Sequence, residues 1–388
     1  MKRTVKLFIC AFVFLALWIT AKLLAKNEAA AEAMAGTASR WFITAVGAPV
    51  SVLPFSLFEF ILYALIAAGI VLLVKILAAF IKRDWRRGLR LISEVMCGVF
   101  CILFVYSASA GFAYGRKDID FMLPDFTSDE AEAVIDDAAA YYIDGLAALA
   151  AEMKRDGKGD SVSPYTFAQL NKKLKQEYRR LDGNPYFSRF TPRAKRPLAS
   201  PLLAALDIGG FFFAPLGEAN VGGITAAYDL PFTAAHEMAH AKGVMRESDA
   251  NLTAYYILMT SQDPFLRYSG YMCGISYILD AVYYSSPERR DELRERIPPS
   301  VITEYQNARD LYARYNGFLS DVSDRFNDIY LKLNGQKDGT DSYYDFGSVD
   351  IIPVEPSNPD DPPPPPIRIP AYSQTQRVMA GIYLLMKQ

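Results

Sequence analysis

The sequence predicts a mostly helical α+β protein in which three N-terminal transmembrane helices precede an extracytoplasmic domain with one small sheet. Three observations predict it. Apolar residues make up 51% of the 388 and gather in three long runs near the N-terminus. Downstream, apolar residues recur at helical spacing between capping signals. Gly209 to Val221, aromatic and bounded by glycines, is the clearest strand candidate. Charge is nearly balanced at a formal net of -2, without the basic excess of a nucleic-acid binder. Four scattered cysteines provide neither a disulfide framework nor a cysteine zinc knuckle.

The spans are Val5 to Ala25, Phe60 to Ile81 and Leu91 to Tyr114, each near the length that crosses about 30 Å of hydrocarbon. The first also has the outline of a signal peptide, with Lys2, Arg3 and Lys6 ahead of an apolar core. Its length, and the lack of a clear cleavage site beside it, favour an uncleaved anchor. Lys2, Arg3 and Lys6, and the cluster Lys82, Arg83, Arg86, Arg87 and Arg90, place the N-terminus and the second loop in the cytoplasm. Lys26 to Glu59, with Trp41 and Phe42, then lies along the outer interface, and residues 116–388 are extracytoplasmic. Lys75 and Glu94 sit near the cytoplasmic ends, where snorkelling accounts for them. Cys97 and Cys101, one helical turn apart, have no further ligand nearby and read as packing residues.

Residues 1–115 thus form a membrane domain, and residues 116–388 one soluble unit. Thr127-Ser-Asp-Glu130 has the form of a capping box opening a helix toward Met153. A second helix, basic outside, runs from about Pro164 to Leu181, and the cations of Arg193 to Arg196 mark a solvated loop. A further helix starts after Pro231-Phe-Thr233, and others follow to about Lys332. Proline crowds Asp345 to Pro370, which reads as an exposed polyproline-like insertion and a possible partner-binding segment. An apolar helix from Gln374 to Met386 closes the chain and docks on the core.

Both histidines of the chain fall in His236-Glu-Met-Ala-His240, an H-E-x-x-H motif. On a helix, residues four apart share a face, so two imidazoles can grip one zinc ion with Glu237 beside it. With no third histidine, the remaining protein ligand is a carboxylate or, less plausibly, Cys273. In an unbroken helix Glu247 would lie about 16 Å beyond His236 along the axis, out of reach. Gly243 removes the difficulty, since glycine can end a helix in the left-handed conformation and turn the chain back. A new helix near Arg246 then presents Glu247 as ligand, with Asn251 one turn on to orient a histidine. Asp249 is the competing ligand. Tyr268, Tyr271 and Arg267 are candidate oxyanion donors, and Glu218 and Asn220, on the strand, are candidates either to line a substrate cleft or to build a turn.

This arrangement resembles the glutamate-zincin metallopeptidases, with Glu247-Ser-Asp-Ala-Asn251 similar to their second element, Asn standing where Asp is usual. The gap from His240 to Glu247 is shorter than in that clan. A closer resemblance is to the bacterial domain of unknown function 3810. It is carried by Phe213-Ala-Pro-Leu-Gly-Glu-Ala-Asn220, by Pro231 to His240 with Gly243 and Arg246-Glu247, by Arg267-Tyr-Ser-Gly270, and by Asn327-Asp-Ile-Tyr-Leu-Lys-Leu-Asn-Gly335. That resemblance covers most of the chain, including the spans, and departs at the proline insertion. It implies a zincin-like metallopeptidase domain, a strand edge that pairs with extended peptide, and membrane anchorage.

The expectation is a membrane-anchored zinc metallopeptidase with one zinc per chain, acting on a peptide or envelope protein. Glu237 would be the general base and would pass the proton to the leaving amine. The alternative is a catalytically silent zincin-fold scaffold of the cell envelope, for which Glu237 would have no use. A third reading, an intramembrane protease, is opposed by the charges of Lys242, Arg246, Glu247 and Asp249 immediately after the motif.

Overall fold

The computed structural model describes residues 2–352 and 366–388. The chain opens with α1 (Lys2–Leu24), α2 (Glu28–Met34) and α3 (Arg40–Val52), the last two joined by a π-helical turn. Next come α4 (Leu57–Ile81) and α5 (Trp85–Ser109). Stretches of α1, α4 and α5 are long and apolar enough to cross a membrane, at Arg3–Leu24, Leu57–Ile81 and Trp85–Ser109. The third stops short of the expected Tyr114. Gly111 to Gly115 tighten into a 3-10 turn whose Phe112 and Ala113 are buried against the domain. On α3 the Trp41 ring is exposed.

The remainder is helical around two hydrophobic cores. The Thr127 box forms, Glu130 Oε2 accepting from Thr127 N at 2.9 Å, and α6 (Ala131–Glu152) begins one residue later. Its buried Ile135, Ala138, Tyr142, Leu146 and Leu149 lie at helical spacing and pack on a long later helix. Then follow α7 (Phe167–Tyr178), starting later than Pro164 because Thr166 and Gln169 build the true capping box, and α8 (Ser200–Ala205). Lys195, expected in a solvated loop, is buried. Its Nζ donates to Val50 O at 2.9 Å and to Glu218 Oε2 at 2.8 Å, which removes the cost of burying the charge.

Gly209 to Val221 is a hairpin rather than one strand: β1 (Gly210–Phe213) pairs antiparallel with β2 (Glu218–Val221). Pro215 cannot continue a ladder, and Ala214–Leu216 turn as 3-10 helix. The helices α9 (Asp229–Ala241), α10 (Glu247–Met259) and α11 (Pro264–Ser285) follow. The start of α9 at Asp229 leaves Pro231 in the first turn, where its missing N–H costs nothing. Beyond are α12 (Pro287–Glu295), α13 (Pro299–Ala313) and α14 (Phe318–Leu333). The proline-rich segment begins and ends in paired strands, β3 (Ser348–Ile352) and β4 (Ile367–Ala371), whose alternating apolar residues suit pairing. The expected polyproline stretch between them lies outside the described residues. The last helix, α15 (Gln374–Met386), docks as expected, with Tyr142 Oη donating to Met379 O at 2.6 Å.

The candidate spans and the rest of the chain are packed together, not merely tethered. Ala21, Ile43, Ala110 and Phe112 share a core with Ala214 and Met245. Glu218 of β2 accepts from Ser56 Oγ at 2.7 Å and from the backbone N–H groups of Leu57 and Phe58 at 3.0 and 3.2 Å, capping the N-terminus of α4. In the reverse direction, Glu59 of α4 accepts from Leu198 N and Ala199 N, both at 2.7 Å.

Candidate metal centre

The C-terminal turn of α9 and the first turn of α10 build the centre. Between them Gly243 takes φ +93°, so α9 ends and the chain doubles back. Arg246 is extended as the N-cap of α10, which makes Glu247 its first residue. Ligand atoms of His236, His240 and Glu247 consequently lie within 4.8 Å of one another, all three residues buried. Glu247 Oε2 is 3.0 Å from His236 Nε2 and 3.5 Å from His240 Nε2.

The far side of each imidazole is fixed. Val244 O can only accept, so His240 Nδ1 donates to it at 2.7 Å. Asn251 Nδ2 donates to Tyr343 O at 2.9 Å, which leaves Asn251 Oδ1 to accept from His236 Nδ1 at 2.7 Å. Both Nε2 lone pairs then point at a carboxylate oxygen. Acceptors so close repel unless a positive charge sits among them, and two candidates exist: a shared proton or a metal ion. The protein's own charges reflect this. Burial opposes ionisation of Glu247, but the charge of His240 and hydrogen bonds from both imidazoles hold it down at about 2. Burial would lower His240, yet Glu247 raises it to about 9.

Glu237 projects beside this group. It is buried, and its Oε2 has no hydrogen-bond partner among the described residues. Burial pushes it up to about 7 against the charge of both histidines. It lies directly under β1: a Cβ on Gly210 would come within 2.7 Å of Glu237 Oε1. Phe212 of the same strand tilts over His240 with ring centroids 5.8 Å apart, and Tyr343 stacks on His236 at 6.3 Å.

Other expected site residues are placed elsewhere. Asp249 is two residues past Glu247, on a different face of α10, where its Oδ2 accepts from Arg246 Nε at 2.6 Å. Burial pushes it up to about 6, against the charge of Arg246. Cys273 lies beside Asp229, Sγ to Oδ1 3.9 Å. Tyr268 donates to Glu304 Oε2 at 2.7 Å and accepts from Arg155, while Tyr271 packs on Tyr142; both belong to the core between α6 and α11. Arg267 is on the same helix, with no partner bringing it to the histidines. The helix that was to carry these three to the metal turns that face into the core instead. Glu218 is consumed in capping α4, so it lines no cleft. Asn220 is fully buried, its Nδ2 donating to Glu218 O at 3.4 Å. Nor is β2 a free edge: Lys195 pairs along its other side through bonds of 3.0 and 2.8 Å to Ala219 and Val221. Among the described residues, β1 pairs only with β2, so the open edge is the strand beside Glu237.

Sequence reasoning missed a group of tyrosines. The hydroxyls of Tyr106, Tyr114 and Tyr330 are mutually hydrogen-bonded, Tyr114 to Tyr330 at 3.1 Å. Burial raises the pKa of Tyr114 and of Tyr343, and the negative charge of Glu247 adds to both, so these phenols stay protonated within its field. Gln336 also went unnoticed; its Oε1 accepts from Glu247 N at 3.2 Å, satisfying a free amide of the first helical turn. Tyr330 lies in the stretch Asn327 to Gly335 that carried the family resemblance without a role.

Fold and centre together define a mostly helical protein with three candidate membrane spans and a buried His-His-Glu group able to hold a metal ion. The chain belongs to the family described as protein of unknown function (DUF3810), whose family model matches residues 37–348. The match takes in the second and third spans and the whole centre, but begins after the first span and ends where the proline-rich segment starts. No curated protein and no solved structure matches the chain.

Proposed function

We propose that the protein is a membrane-anchored zinc-dependent metallopeptidase of the zincin type. In this reading the N-terminus is cytoplasmic, the chain crosses the membrane three times, and residues 116–388 lie outside. The single observation that carries the catalytic reading is the buried Glu237 carboxylate, whose Oε2 has no hydrogen-bond partner among the described residues, beside the converging ligand atoms of His236, His240 and Glu247. Two imidazoles and one carboxylate suit zinc and leave a position open, as a catalytic rather than a structural site does. When bound, zinc supplies Lewis acidity toward a water and the scissile carbonyl.

The chain's own residues then do the following. Glu237, with a pKa near neutrality, accepts a proton from the attacking water and passes it to the leaving amine. Asn251 and the Val244 carbonyl hold the imidazoles as Nδ1–H tautomers, keeping both Nε2 atoms free for the metal. An extended peptide adds to the open edge of β1, which brings its backbone past Glu237. Tyr343, stacked on His236, and the Tyr114–Tyr330 pair are the candidate hydroxyl donors for the charge that develops in the transition state.

A silent scaffold would leave the burial of Glu237 without a partner unexplained, a cost with no return. The test is Glu237→Gln in the full-length protein. Zinc content should remain at one per chain by plasma emission spectrometry, while chelator-sensitive cleavage of a peptide library is lost. Wild-type protein that binds no zinc, or binds it and cleaves nothing, contradicts the proposal.

A further inference from the structure

We propose that α14 is an interfacial helix whose apolar face is seated in the lipid headgroup and upper acyl region, beside the ends of the spans. Phe318, Val322, Phe326, Ile329 and Leu333 lie four, four, three and four residues apart, which aligns them in one stripe along the helix. Four of them are open to solvent, Phe318 by 79%, Phe326 by 70%, Ile329 by 54% and Leu333 by 72%. Asp321, Asp324, Arg325, Asp328 and Lys332 occupy the remaining surface. A water-facing helix would not carry such a stripe without a partner.

Its position names that partner. At the C-terminal end of α14, Leu333 O and Asn334 Oδ1 accept from Lys22 Nζ at 3.2 and 2.7 Å, and Lys22 lies in the last turn of α1. Tyr330 is hydrogen-bonded to Tyr106, in the last turn of α5. The helix is thus tied to the domain-side ends of two spans, the level at which hydrocarbon gives way to headgroups. There Leu23 and Leu24 of α1 are themselves exposed, so the stripe continues a surface that the spans already present to lipid. A helix with one bulky apolar face and one charged face at this depth suits the interface plane. Tyr330, at the edge of the stripe, keeps its hydroxyl bonded to Tyr106 and Tyr114.

The inference rests on the membrane placement of the spans, and the experiment separates the two. Full-length protein with Cys10, Cys97, Cys101 and Cys273 replaced by alanine is reconstituted in vesicles of phosphatidylethanolamine and phosphatidylglycerol. A nitroxide is attached in turn at Phe326→Cys, Ile329→Cys and Leu333→Cys, at the polar-face Asp321→Cys and Asp324→Cys, and at Ile66→Cys within α4. Collisions with oxygen, which partitions into lipid, are compared with those of a water-soluble nickel chelate. Oxygen should dominate at 326, 329 and 333 and the nickel chelate at 321 and 324. Nickel dominating at all five, with oxygen at 66, overturns the inference and leaves the spans in place. Exclusion of both reagents at the stripe means a protein cover, a second copy or another part of this chain, and also overturns it. Loss of the oxygen signal at 66 removes the membrane placement itself, and the inference with it.

Discussion

Glu218 of β2 and Ser56 at the head of α4 are joined by a 2.7 Å hydrogen bond, across the boundary between the domain and its second span. The carboxylate also meets Lys195, and neither side chain touches solvent. Removing one member of a buried pair leaves a charge with too little compensation. Lys195→Met should therefore destabilise the protein by about 3–5 kcal/mol. Thermal unfolding in detergent, followed by circular dichroism, measures it; an unchanged midpoint would show the pair to be dispensable.

Asn251 orients His236 but does not reach the metal position itself. Asn251→Ala should weaken zinc binding about 10–100-fold while leaving the fold intact. Competition against a chelator of known affinity reads this directly, and Asn251→Asp, which keeps the acceptor, should restore most of it. Equal affinity in all three proteins would make the contact incidental.

The pairing of His240 with Glu247 should make metal binding depend on pH. In the ion-free protein His240 is raised to about 9 by Glu247, so at neutral pH it carries a proton that an incoming ion must displace. Apparent affinity should thus rise by about tenfold per pH unit from neutrality and level off as the pH passes about 9. Calorimetry in buffers of different ionisation enthalpy counts the protons released. A flat profile between pH 7 and 9 contradicts a protonated resting pair.

Gly243 holds the turn that folds Glu247 back toward the histidines. Any residue with a Cβ is strained at φ +93°, and Gly243→Ala should cost about 1–2 kcal/mol. The same variant should bind zinc more weakly, because α10 must shift to relieve the strain. Affinity falling in step with the unfolding midpoint would support that coupling; loss of neither would refute it.

How much of this was legible beforehand depended on how local the determinant is. The spans are written in composition, and the approach of Glu247 to His236 and His240 follows from a glycine and helix geometry within a dozen residues. The role of Glu218 is set by Ser56, Leu57 and Phe58, which no spacing rule connects to it. Lys195 looked like a surface cation for the same reason: its partner comes from a different element. The tyrosines near Glu247 come from α5, the 3-10 turn after it, α14 and the segment before β3. Among 24 tyrosines nothing local marks those four. Tyr268 and Tyr271 attracted attention by lying close after the motif in sequence, yet the periodicity of α11 turns them inward.

The two carboxylates exchanged across the boundary, Glu218 to the head of α4 and Glu59 to the backbone at Leu198 and Ala199, bear on how the protein is made. Ser56 is synthesised 162 residues before the acid that completes its turn. The head of α4 is therefore made without the Glu218 carboxylate, and the finished arrangement exists only after more than half of the chain has been synthesised. Residues 116–388 severed from α1 to α5 would therefore be half of a reciprocal structure.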